Sequence, residues 1–237
     1  QGRRALYRRN GDDFGRVHEE ALRLLNEHAS VLEKHEPRFD FPELEIGLNG
    51  QRVQAFGTAA GLDKNCDALG PLSYAFGFQE PGTIVINERE GNLRPREAVD
   101  EDGEDLYNAQ GFPSKGIAHS RTNLDEYHRS TFPKKPLYLS VCGIPPQDME
   151  PGKALDRAWR EMEVLLGMLN KHAAGFVWNP FSPNTETLKL LREPQTFREY
   201  AELMTRMAPD KLRLVKMGPY DDNPDQRRTH LEFIEAF

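Results

Sequence analysis

Gly175-Phe176-Val177-Trp178-Asn179-Pro180-Phe181-Ser182-Pro183-Asn184-Thr185 is the stretch on which the reading of this chain turns. It begins with an apolar run short enough to be a buried strand, and then places two amides and two hydroxyls within seven residues. At the end of a strand such a string offers donors to a planar polar ligand and a serine able to take a proton. By itself it is more often an ordinary capped turn. Its neighbours decide between the two.

Outward from this stretch the chain alternates apolar runs with amphipathic ones. The candidate strands are 54–59, 78–86, 137–142, 175–179 and 212–217. Between and after them, 153–172 carries Ala158, Met162, Leu165 and Leu169 on one helical face, 195–207 follows Pro194, and a last helix starts near Pro224. Strands alternating with helices of this length predict βαβ units and a parallel sheet. Ahead of them, Val17, Ala21, Leu24, Leu25, His28 and Leu32 predict one amphipathic helix over 12–32, and Asn49-Gly50 predicts a hairpin between 44–48 and 52–56. Lys64, Thr83, Asn179, Ser182 and Lys216 all fall just after apolar runs, at the strand ends where a β/α barrel keeps its chemistry. A closed barrel needs eight strands, and five are legible. The expectation is a (β/α)8 TIM-barrel type with about five β/α units present and a C-terminal part missing.

Composition sets outer limits. Counting the 19 glycines with the 38% of hydrophobic residues brings the apolar share to about 46%, an ordinary globular value. The net charge of −7, with both signs interspersed, argues against nucleic acid as a partner. Arg3, Arg4, Arg8 and Arg9 form one basic cluster, read either as solvated helix surface or as a contact for anionic lipid. Two cysteines, Cys66 and Cys142, make neither a disulfide framework nor a metal pair, and the seven histidines lack metal-site spacing, so no metal is expected. No apolar run is long enough to span a bilayer. Gln1 as first residue leads to the expectation that the natural N-terminus has been removed.

Five strings in order and register complete the reading: Ala59-Ala60-Gly61-Leu62-Asp63-Lys64-Asn65, Glu80-Pro81-Gly82-Thr83, Asn108-Ala109-Gln110-Gly111-Phe112, the Asn179–Thr185 segment, and Leu214-Val215-Lys216. Together they resemble the dihydroorotate dehydrogenases, FMN enzymes of pyrimidine synthesis, from about Arg4 to the last residue. The resemblance implies Ala59, Ala60, Gly61, Lys64, Thr83, Asn179 and Lys216 as contacts to FMN. It implies Lys64, Asn108, Gly111, Phe112, Asn179 and Asn184 as contacts to dihydroorotate or orotate. Ser182 falls at the catalytic-base position, with Thr185 and Phe112 matching its proton relay. A serine at that position is the mark of the quinone-linked branch; the other branches usually carry cysteine. Ala5-Leu6-Tyr7, Asp12-Asp13 and His18 resemble that branch's helical extension, which implies a division at residues 1–40 and 41–237. Quinone as acceptor, peripheral membrane contact through the N-terminal helices, and a location in the cytoplasm or on the face of an inner membrane follow as expectations.

The chain also departs from the family pattern. Gly91-Asn92-Leu93-Arg94-Pro95-Arg96 matches a family string, but Val99 stands where an arginine of the quinone site is expected. Cys142 stands where a flavin-contacting asparagine is expected, and Pro180 and Phe181 replace small residues. Two alternatives therefore stay open: another FMN-barrel oxidoreductase acting on a related ring, or a degenerate barrel serving as a non-catalytic module.

Overall fold

The structure, a computed structural model, describes residues 13–35, 42–48, 50–100, 105–218 and 223–236. The basic cluster Arg3–Arg9, the Ala5-Leu6-Tyr7 string, Asp12 and Asn49 lie outside the described residues. Helix α1 (Phe14–Glu27) starts where the Asp13 carboxylate accepts from the Arg16 backbone N–H at 3.2 Å. It is followed by a separate α2 (Ala29–His35), so the single helix expected over 12–32 is two. The break falls at Asn26-Glu27-His28, where two of the three residues are poor helix formers and the Asn26 side chain is bonded to the carbonyl of Asp67. The hairpin forms as expected, though with a shorter second arm: β1 (Glu45–Leu48) pairs antiparallel with β2 (Gln51–Gln54), Leu48 opposite Gln51.

Beyond the hairpin, strand positions come in sequence order. Gly57 bridges Phe78, Gln79 bridges Leu137, and Ile84 bridges Val141, all parallel. The next strands are β5 (Tyr138–Val141), β6 (Gly175–Trp178) and β7 (Leu212–Val215), parallel in the order β5-β6-β7. Five strand positions therefore lie side by side, each beside its neighbour in sequence, as in a β/α barrel. The first two, expected as continuous strands over 54–59 and 78–86, are present as isolated bridges. The cause is visible in the second: Pro81 has no N–H to donate, and Gly82 sits at φ +119°, a conformation that no continuous ladder contains. The chain still crosses the sheet there, because Tyr138 donates to Gln79 at 2.9 Å, Ser140 to Pro81 at 3.0 Å and Ile84 to Ser140 at 2.8 Å.

Between the second and third strand positions are three elements that the periodicity did not reveal, while the one-turn α3 (Leu69–Leu72) lies between the first and second. The antiparallel pair β3 (Glu97–Asp100) and β4 (Asp105–Asn108) is mostly exposed and rich in acids, so no apolar alternation marks it. Helix α4 (Gly116–Arg129) buries Ile117, Ser120, Leu124 and Tyr127, a helical spacing in which too few members are apolar to be noticed. Helix α5 (Pro151–Leu169) buries the predicted face, Ala158, Met162, Leu165 and Leu169, and starts two residues early. There Glu150 accepts from the N–H groups of Gly152 and Lys153, and Pro151 occupies the first turn. Helices α6 (Pro194–Met207) and α7 (Pro224–Ala236) complete the layer outside β6 and β7. No described helix is long and apolar enough to cross a membrane.

An aromatic stack joins this layer to the sheet. The Trp178 ring lies 5.0 Å from Tyr200 and nearly parallel to it, and 4.8 Å from Phe197. Phe233 of α7 packs 4.4 Å from Phe197, and Phe181 sits 5.7 Å from Phe233. The strand-end segment after Trp178 is therefore gripped from below by α6 and α7. At β7 the burial fades: Leu214 is 39% exposed, and Leu231 and Ile234 of α7 are exposed as well. The described residues thus form five-eighths of a barrel with one strand edge uncovered.

The loop after the first strand position is closed by its own side chain. Both oxygens of buried Asp63 accept backbone N–H groups, from Asp67 at 2.7 Å and Ala68 at 2.8 Å. Burial nevertheless pushes its carboxyl up to about 6, those two bonds opposing it. An acid raised in the folded state stabilises the fold while protonated. That contribution is complete below the unfolded-state value of about 3.9 and is lost as pH rises through about 6.

Two outcomes follow. Leu165→Ala, at a fully buried site, should cost about 2–5 kcal/mol in urea unfolding, whereas its neighbour Val164, 45% exposed, should tolerate alanine within about 0.5 kcal/mol. The stability of the natural protein relative to Asp63→Asn should fall by up to roughly 3 kcal/mol between pH ~4 and pH ~7. A pH-independent difference between the two unfolding curves would show that folding leaves the Asp63 carboxyl unshifted.

Candidate functional site

A cavity of about 660 Å³ opens at the C-terminal ends of the strand positions. After the first strand position, Ala59, Ala60 and Gly61 line it, followed by Lys64. Gly61 adopts φ +105°, donates to the carbonyl of Gly82 at 2.9 Å, and has no atom within 4 Å of where a Cβ would stand. This part of the wall is main chain and methyl groups, flat enough for an aromatic ring to rest on.

The second strand end contributes Gly82 and Thr83. The Thr83 hydroxyl is buried, 2.9 Å from Ser140 Oγ, and accepts from Asn179 Nδ2 at 3.2 Å. Asn179 reaches the cavity from the end of β6, as do Phe181, Ser182 and Asn184 further along the same segment. Arg192 fixes that segment by donating from Nε to the Pro180 carbonyl at 2.9 Å and from Nη2 to the Ser182 carbonyl at 3.1 Å. Its guanidinium also lies 5.2 Å over the Phe181 ring. Phe181, which departs from the family pattern, is thus a packing residue that ties the loop to the aromatic stack. Lys216 enters from the end of β7, its N–H bonded to the Trp178 carbonyl at 2.8 Å.

The connection after β4 closes the opposite side. Asn108, Gly111 and Phe112 line the cavity, and both Gly111 (φ +68°) and Phe112 (φ +57°) have left-handed backbone. A bulky residue in that conformation is uncommon and is held here by its surroundings. Arg89 Nε donates to the Gly111 carbonyl at 2.9 Å. Asn184 Nδ2 donates to Asn108 Oδ1 at 3.1 Å, so two amides 76 residues apart in sequence meet at one point of the wall.

All but one of the residues predicted from the sequence line this cavity; Thr185 does not. It is buried behind the segment, and its Oγ1 has no hydrogen-bond partner among the described residues, so the expected relay from Ser182 through Thr185 is not joined by direct bonds. Cys142 is fully buried with its thiol on the Gly143 carbonyl, away from the cavity, and Val99 lies on the exposed part of β3. Two titratable lining residues carried no site reading from the sequence. Glu97 is buried with Oε2 unpartnered among the described residues, and its acidic stretch gave no hint of burial. His18 of α1 sets Nε2 2.6 Å from the Leu62 carbonyl and thereby reaches the rim.

The charges are tuned mainly by burial. Burial, then the nearby Lys64, holds the His18 ring below its ordinary value, so it is neutral at pH 7 and donates to Leu62. Burial lowers the Lys64 ammonium, with Glu97 and Glu19 opposing. Burial raises the Glu80 carboxyl, and Lys216 opposes that shift. Among the described residues no cluster of three metal-ligating side chains is present.

Comparison with known proteins follows from this geometry. Residues 47–232 match the family model described as dihydroorotate dehydrogenase. The dihydroorotate dehydrogenase (quinone) of Ectopseudomonas mendocina is 32% identical over 174 residues, which cover 71% of this chain and 46% of that protein. The protein of the same name from Thermus thermophilus is 31% identical over 177 residues, covering 71% of this chain and 49% of that one. In fold, the chain is similar to the dihydroorotate dehydrogenase of Eimeria tenella crystallised with ferulenol, with TM-score 0.70 at 21% identity over 89% of this chain and 63% of that one. The chain spans about half the length of the curated relatives it matches. The chain belongs to the dihydroorotate dehydrogenase family.

Proposed function

We propose that this chain carries the substrate-facing and flavin-facing part of a site that oxidises dihydroorotate to orotate. The observation that carries the proposal is the convergence of Lys64, Asn108, Asn179, Ser182, Asn184 and Lys216, from four separate segments, on one cavity. Family membership supports the same reading.

The residues present fit flavin mononucleotide. A flat wall of Ala59, Ala60 and Gly61, the Thr83 hydroxyl with its Asn179 partner, and the cations Lys64 and Lys216 suit an isoalloxazine ring whose reduced form is anionic. Flavin, when bound, supplies the hydride acceptor for C6 of the substrate. The chain's own groups do the rest. Asn108, Asn179 and Asn184 hydrogen-bond the amide-like edges of the pyrimidine, the Gly111-Phe112 turn closes over it, and Lys64 meets its charge. Ser182 takes the proton from C5. A serine hydroxyl is a poor base at neutral pH, so it must pass that proton on. Thr185, buried with a hydroxyl unpartnered among the described residues, and the strained Phe112 backbone flank the route on which it leaves.

The names of the relatives support a quinone as the final acceptor. Residues 1–40 then form the extension that meets the acceptor and the membrane surface, and 41–237 form the flavin-binding barrel part.

An anaerobic absorption spectrum tests the reading. With FMN supplied, a flavin band near about 450 nm should bleach when dihydroorotate is added. Ser182→Ala should keep the band and slow the bleaching by about 10²–10⁴-fold. Bleaching at an unchanged rate in that variant would remove Ser182 from the base role, and a flavin-bound protein indifferent to both dihydroorotate and orotate would overturn the substrate.

A further inference from the structure

Lys64 lies on a wall shared by two cavities, the one described above and a second of about 820 Å³ between α1 and the loop over Glu88–Arg96. Among the described residues no hydrogen bond or ion pair holds its ammonium, so the place of this cation depends on the backbone that carries it. That backbone is held from three sides. Asp63 closes the loop internally through the N–H groups of Asp67 and Ala68. From α1, His18 bonds the carbonyl of Leu62 and Asn26 the carbonyl of Asp67, so one helix grips the loop on both sides of Lys64. From α4, everything runs through Asn65 and Asp67.

The α4 side is the most heavily bonded. The Asp67 carboxylate accepts from His119 Nε2 at 2.7 Å and Asn123 Nδ2 at 2.9 Å on one oxygen, and from Lys115 Nζ at 3.2 Å on the other. Asn65 Oδ1 accepts the Lys115 backbone N–H at 2.8 Å, and the Asn65 carbonyl accepts from Asn123 at 3.0 Å. Burial alone would push the Asp67 carboxyl up; the His119 and Lys115 partners more than offset it and hold it below its usual value, so it is ionised at pH 7. Yet its side chain is 28% exposed, lines the second cavity and not the substrate cavity, and belongs to no part of the chemistry proposed above. A carboxylate with three donors, two from one helix and one from the residue at its N-cap, is a device for fixing geometry.

We propose that Asp67 is a positioning residue: by anchoring the Lys64 loop to α4, it sets where the Lys64 ammonium stands on the wall between the two cavities. The proposal rests on the role of Lys64 in the substrate cavity given under Proposed function. It also goes beyond it, assigning that role's precision to a side chain outside the cavity.

Two readouts test it, one of which needs no activity. After reductive methylation with ¹³C-formaldehyde, the dimethyl-Lys64 resonance is assigned by its loss in Lys64→Met. In Asp67→Asn, which preserves size while turning a donor toward donors, that resonance should shift and titrate closer to an ordinary lysine. Orotate binding should weaken about tenfold, and Lys64→Met should show no further loss when Asp67→Asn is added, as coupled sites do. His119→Gln, which keeps a donor, should bind orotate within about twofold of the natural chain. If Asp67→Asn does not fold, Asn123→Ser removes the same anchor from its other end and should move the same resonance. An unmoved Lys64 resonance, or losses that multiply in the double variant, would reduce Asp67 to a stability role and overturn the proposal. If the natural chain binds no orotate, the functional reading fails, while the Lys64 resonance still decides whether Asp67 positions it.

Discussion

The stack of Trp178 on Tyr200 and Phe197 is the contact on which the rest depends. Trp178 is the last residue of β6, fully buried, and the next residue is Asn179. Because α6 grips that ring from outside the sheet, the chain cannot lift or slide at the point where it leaves the strand. Phe181 repeats the grip three residues on, against Phe197 and Phe233. Large aromatic faces give both burial and orientation, which a row of aliphatic side chains supplies less sharply. The polar residues at this strand end therefore hang from an apolar anchor, and Arg192 fastens the carbonyls between them.

The cavity's opposite walls are built on different physics. The Ala59–Lys64 side depends on backbone bonds and on one buried carboxylate, Asp63, whose burial raises its pKa and leaves its loop sensitive to pH. The Asn108–Phe112 side depends on a hairpin with little apolar burial, held by Asn92, Asn184 and Arg89 through side-chain bonds to its carbonyls and amides. One wall is packed and two are hydrogen-bonded. Chemistry that needs a fixed ring plane on one side and adjustable contacts on the other suits such a division.

Much of the frame was legible without coordinates. The apolar face of α5, the helix after Pro194, the hairpin at Asn49-Gly50 and the sheet strands after residue 137 all follow from periodicity, caps and turn residues, which act over a few residues. The same reasoning failed where the signal was weak or mixed. β3 and β4 expose most of their side chains, α4 buries a serine and a glycine among few apolar residues, and the second strand position is interrupted by Pro81 and Gly82. The five motifs identified the family because their residues are chemically unusual for strand ends.

The sequence alone determined which residues are candidates for the site, since amides, lysines and a serine following apolar strands are a local property. Only the tertiary structure decided which of them meet. It brings Asn108 and Asn184 within hydrogen-bonding distance across 76 residues, turns Thr185 behind the wall, and sends Cys142 into the core. It also turns Phe181 from a disruption of a motif into a part of the anchor. These outcomes depend on how helices pack on the sheet, and packing is a sum over contacts between distant segments that no short window of sequence contains.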